Sequence, residues 1–87
     1  MVNMIDNELD LAQLQRASML RMGQNWQKLG KLNQAIDAYL RVVQEGRGTP
    51  ESRQAKAALL SIANDFEGEG RYHLAMNIYD RLSESLA

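Results

Sequence analysis

Apolar residues return every three or four positions through most of this chain, in four separate stretches. The first holds Leu11, Leu14, Met19, Met22 and Trp26, with Ala12 and Leu20 beside them. The second holds Ala35, Ile36, Tyr39, Val42 and Val43, and the third Ala55, Ala58, Leu59, Ile62, Ala63 and Phe66. The fourth holds Ala75, Ile78, Tyr79, Leu82 and Leu86. That spacing puts each set on one side of an α-helix. No alternating strand pattern occurs, and β-branched residues are few. The stretches are separated at Gly30, at Gly46–Pro50 and at Gly68–Gly70, where glycine and the single proline punctuate the pattern.

The predicted elements are four helices: one over about 7–29, a second from Leu32 or Asn33 to Glu45, a third from Thr49-Pro50 to a turn near 68–71, and a fourth over about 72–85. Asp6 is expected to cap the first. Thr49-Pro50 is a start signal for the third: Thr caps, and Pro occupies the first helical position, where a missing N–H costs nothing. Gly46 is expected to turn the chain left-handed at the end of the second. Short connections after Leu29 and Glu69 make the helices of each pair antiparallel. The expected fold class is therefore all-α, as two stacked antiparallel hairpins in one domain of 87 residues.

The two halves also share a skeleton. "GKLNQAIDAYLRVV" runs from Gly30 to Val43, and "GRYHLAMNIYDRLS" runs from Gly70 to Ser83, forty residues later. Ahead of each lies a large residue (Met19, Leu59), an apolar one (Met22, Ile62), a small one (Gly23, Ala63) and an aromatic (Trp26, Phe66). Behind each glycine come a small alanine (Ala35, Ala75) and an aromatic (Tyr39, Tyr79). This arrangement resembles two tetratricopeptide repeats, framed from Arg16 and from Lys56. The small residues would let paired helices approach closely. The chain departs from the pattern in its forty-residue spacing, against about 34 in the family, and in Val42 and Leu82, where the family prefers a small side chain. The extra length lies before the third helix, and the first helix also starts ahead of its frame. Both first-type helices are thus extended at the same end, and Leu11 and Leu14 are expected to pack near Ala55.

The resemblance implies a groove lined by the first and third helices. Its residues would be Ala17, Leu20, Arg21, Gln24, Gln27 and Lys28 from repeat one. Repeat two would add Ala57, Leu60, Ser61, Asn64, Glu67 and Gly68. The implied function is non-catalytic protein–protein interaction with a peptide or helix of a partner. Gln24 and Asn64 would hydrogen-bond its backbone, and Leu20 and Leu60 would supply apolar contact. The family's carboxylate clamp uses Lys and Asn where this chain has Leu20 and Gln24, so that ligand is not implied. An alternative is a self-assembling scaffold subunit. Helical repeat arrays end in a polar cap, and helix four is followed directly by Leu86-Ala87. Met76, Tyr79 and Leu82 would then form an oligomer face.

Charge and composition narrow the classes further. Residues 16–56 hold eight Lys or Arg against three acids, flanked by segments of net −3 on each side, for a total of −1. A nucleic-acid partner would ask for a basic face with less to offset it. The absence of cysteine removes disulfides, thiolate metal sites and cysteine nucleophiles and fits a reducing, cytoplasmic setting. No uninterrupted apolar run suggests membrane insertion. His73, the one histidine, reads as a surface residue. "NDFEGEG" lacks the order of a calcium loop, and "GRGTP" lacks the Lys-Ser/Thr of a phosphate loop. No nucleophile–base pair stands out. The expectation is no enzyme, no cofactor and no metal.

Overall fold

A computed structural model of the protein describes residues 4–86, with side chains over 11–85. Four helices make up the described chain: α1 (Met4–Lys28), α2 (Leu32–Glu45), α3 (Pro50–Gly68) and α4 (Tyr72–Leu86). They pack sequentially as antiparallel neighbours. α2 is the central element, touching α1, α3 and α4, and α1 also meets α3. Its burial reflects that place: Ala35, Ile36, Ala38, Tyr39, Leu40, Val42 and Val43 are all buried. Leu20, Ala55, Leu59, Ile62, Ala63, Phe66, Ala75, Ile78 and Leu82 complete the core. Leu86, read as part of the α4 stripe, lies outside the described side chains.

Two of the three connections are built alike. After α1, the Lys31 N–H donates to the Trp26 carbonyl (2.9 Å) and the Gly30 N–H to that of Gln27 (3.0 Å). After α3, the Arg71 N–H donates to Phe66 (2.8 Å) and the Gly70 N–H to Glu67 (3.0 Å). This paired bonding closes a helix through a left-handed residue. Gly30 and Gly70 fill that place with φ of 75° and 77°. An L side chain would be strained there, which explains the glycines.

The middle connection differs from expectation. Gly46 has φ −117°, and the left-handed residue is Gly48, at φ 78°. Gly46 is needed for space instead. A Cβ on it would lie 2.5 Å from Arg16 Cδ and 2.9 Å from Thr49 Oγ1. Thr49 does cap α3: its hydroxyl accepts from the Ser52 N–H at 3.2 Å and donates to the Gly46 carbonyl at 2.5 Å. Thr49→Ala should therefore lower stability by about 0.5–2 kcal/mol, read as a shift in the urea midpoint. No shift would mean that the cap contributes nothing to α3.

α1 corrects three expectations. It begins at Met4, so Asp6 lies within the helix and not at its cap. Leu11 and Leu14 are 57% and 61% exposed and border a hollow with Val42 and Glu45 of α2, whereas Ala55 is fully buried. Met22, read as part of the buried stripe, is 47% exposed. Helical rotation supplies the reason. Arg16 reaches α3 through an ion pair with Glu51 at 3.2 Å. At about 100° per residue, Leu11, Leu14 and Met22 lie roughly 120–160° around α1 from Arg16. They form a separate stripe, with Met19 and Trp26 half-buried at its edge.

Candidate functional site

The predicted groove lies on α1 and α3. Arg21, Gln24 and Lys28 are exposed along α1, and Ala57, Leu60, Ser61, Asn64 and Glu67 along α3. Each set follows helical spacing, so each is one stripe. Ala17 is half-buried. Leu20 does not belong to this surface: it is 7% exposed and sits in the core. It shares a side of α1 with Gly23, against which the Tyr39 ring packs. Leu60, forty residues later, is 40% exposed and does face outward. The hollow on this side is lined by Gln24, Gln27 and Lys28, all from α1.

Two of the expected groove residues have structural work. The Tyr39 hydroxyl donates to Gln27 Oε1 at 2.6 Å, and the Tyr79 hydroxyl donates to Glu67 Oε1 at 3.3 Å. Donor and acceptor are twelve residues apart in both pairs, and the pairs lie forty residues apart. Burial raises the Tyr39 phenol above its ordinary value. The Tyr79 phenol is raised too, first by desolvation and then by the charge and hydrogen bond of Glu67.

The expected oligomer face is only partly present. Met76 is 55% exposed and Tyr79 half-buried, whereas Leu82 is 4% exposed. Leu82 stands four residues from Ile78 and seven from Ala75, on the inward line of α4. His73 is exposed, as read from the sequence.

A larger hollow, of about 790 Å³, lies between α2 and α4. Ile36, Phe66, Leu74 and Ile78 form its apolar part, and the amides of Asn33 and Asn77 line it. Lys31, Arg71 and Arg81 bring three cations against one acid, Asp37. Arg81 holds Asp37 at 3.0 Å. Arg71 lies 5.2 Å over the Phe66 ring and 3.6 Å from Glu69. The sequence reading missed this hollow because it followed the first helix of each repeat. Its visible signal was a cation directly after each turn glycine, Lys31 and Arg71.

Both faces present hydrogen-bonding, charged and apolar side chains. Among the described residues no cluster of three or more His, Cys, Asp or Glu side chains could hold a metal ion. No described helix is long and apolar enough to cross a membrane. Compared with known proteins, the chain matches no family model, no curated protein and no solved structure.

Proposed function

We propose that this protein is a non-catalytic protein-interaction module with two tetratricopeptide-like repeats. Its α1–α3 face takes an extended peptide or a helix of a partner. The observation that carries the repeat reading is the duplicated Tyr bond, Tyr39 to Gln27 and Tyr79 to Glu67. The paired turns at Gly30 and Gly70 support it. Binding on α1–α3 is supported by the exposed amides of Gln24 and Asn64, forty residues apart, with the exposed Leu60 one helical turn before Asn64 as an apolar contact. Peptide backbone groups pair well with such amides.

A second reading has its own support. The α2–α4 hollow is the larger concavity and carries an excess of cations, which suits an acidic segment.

One experiment separates the two. Peptides are selected from a displayed library against the purified chain, and their affinities are measured by fluorescence anisotropy. Gln24→Ala with Asn64→Ala should weaken a peptide bound on α1–α3 roughly tenfold, at about 0.5–1.5 kcal/mol per hydrogen bond lost. Lys31→Glu with Arg71→Glu should leave that peptide unaffected. The reverse pattern would move the site to α2–α4. Insensitivity to both pairs would refute both sites.

A further inference from the structure

Residues forty positions apart differ in exposure in a regular way. Leu20 and Ile36 are 7% exposed, while their counterparts Leu60 and Met76 are 40% and 55% exposed. In the opposite sense, Ile62 is 2% and Phe66 6% exposed, while their counterparts Met22 and Trp26 are 47% exposed and half-buried. The junction between the two halves buries the first pair from one side and the second pair from the other. The outer face of α3–α4 therefore carries counterparts of one half of that junction, and the outer face of α1–α2 carries counterparts of the other.

We propose that the protein stacks head to tail with a second copy of itself. The α3–α4 face of one molecule docks on the α1–α2 face of the next, in the register of the internal junction. The apolar fit follows from the counterparts. Ile36 and Phe66 line one hollow within the chain; across copies, Met76 meets Trp26, a sulfur–aromatic contact.

The shared register of the two halves selects a second copy as the occupant, and charge supports it at one position. Leu40 and Arg81 line a common hollow within the chain. Their counterparts across copies are Asp80 and Arg41, which have opposite charge. Asp80 is exposed. Arg41 is 63% exposed and reaches Glu45 only at 3.8 Å. One internal contact reverses: the Gln44–Ser85 bond, 3.2 Å within the chain, becomes Glu84 facing Glu45. The Arg16–Glu51 ion pair has Lys56 and Leu11 as counterparts, and the Arg81–Asp37 ion pair has Arg41 and Asn77, so both are lost. The stack is accordingly weaker than the internal junction, and it grows with concentration. Such a contact is heterologous, so it adds further copies as a filament or, where the rotation closes, a ring.

Sedimentation velocity over micromolar to millimolar concentration tests this. The wild-type mass should rise past that of a dimer. Met76→Glu should block one face and Met22→Glu the other, leaving each variant monomeric. An equimolar mixture of the two should form dimers and nothing larger, because one intact face of each kind remains. A dimer formed by either variant alone would indicate a face-to-face contact and overturn the proposal, as would a wild-type chain that stays monomeric throughout. Charge variants give a readout that leaves the apolar faces intact. Asp80→Arg should weaken association roughly fivefold, Asp80→Arg with Arg41→Asp should restore it, and Glu84→Gln should strengthen it. No rescue by the double variant would refute the register. Circular dichroism checks that each variant remains helical.

Discussion

Gly23→Leu is expected to lower the stability of the protein by about 1–3 kcal/mol, and its melting temperature by roughly 4–8 °C per kcal/mol. A Cβ at this position would lie 2.7 Å and 2.8 Å from two carbons of the Tyr39 ring. Those distances are far inside van der Waals contact, and the ring has no easy retreat. Tyr39 is 1% exposed, and its hydroxyl is held by Gln27 at 2.6 Å. Either α1 moves away from α2 or the phenol loses its bond. Leucine's better helix propensity offsets only a part, since glycine within a helix costs about 0.5–1 kcal/mol relative to alanine. Gly68→Leu is the control. It lies in α3, and a Cβ added there would meet no atom within 4 Å, so the change should be neutral or mildly stabilising. Thermal unfolding followed by circular dichroism reads both. Equal melting temperatures for the wild type and Gly23→Leu would show that the α1–α2 approach is looser than the 2.7 Å contact requires.

Leu59→Ala is expected to cost about 2–5 kcal/mol, a large share of the roughly 5–15 kcal/mol typical of a folded domain. Leu59 is fully buried in α3, so truncation removes apolar contact on all sides and leaves a void. Met19→Ala is the paired measurement. Met19 is the counterpart of Leu59 forty residues earlier, but it is only half-buried at the edge of the core. Its truncation should cost less than half as much. Urea titrations at low protein concentration, where self-association does not add to Met19 burial, give both values. Similar costs at the two positions would contradict the asymmetric burial of the two halves.

The limits of α2, the start of α3 and the turns at Gly30 and Gly70 were legible in the sequence because local physics decides them. A proline at the first helical position, a capping threonine and a left-handed glycine act within a few residues, whatever surrounds them. Whereas α2 also buries Ala38 and Leu40 outside its predicted stripe, the inward stripes of α3 and α4 were legible for a similar reason: most of their apolar residues fall at one helical spacing. Leu82 belongs to that group, and only its assignment to an outer face went astray.

α1 is the opposite case. It carries apolar residues on two sides: Leu20 with Gly23 on one, and Leu11, Leu14 and Met22 on the other. Periodicity alone cannot choose between them. The Arg16–Glu51 ion pair and the packing of Tyr39 against Gly23 made the choice. Gly46 shows the same division in part, since its backbone angle is ordinary and the space at its Cα is closed by Arg16 from α1 as well as by the neighbouring Thr49 and the Val42 carbonyl. The sequence by itself determined that four helices form, where three of them begin, and that two halves share a skeleton, because each of those is a short-range property. Only the tertiary structure decided which side of α1 is covered, which counterparts remain open, and where the larger hollow lies. Those depend on how helices distant in the chain meet, and contacts of that kind leave no periodic trace in any one helix.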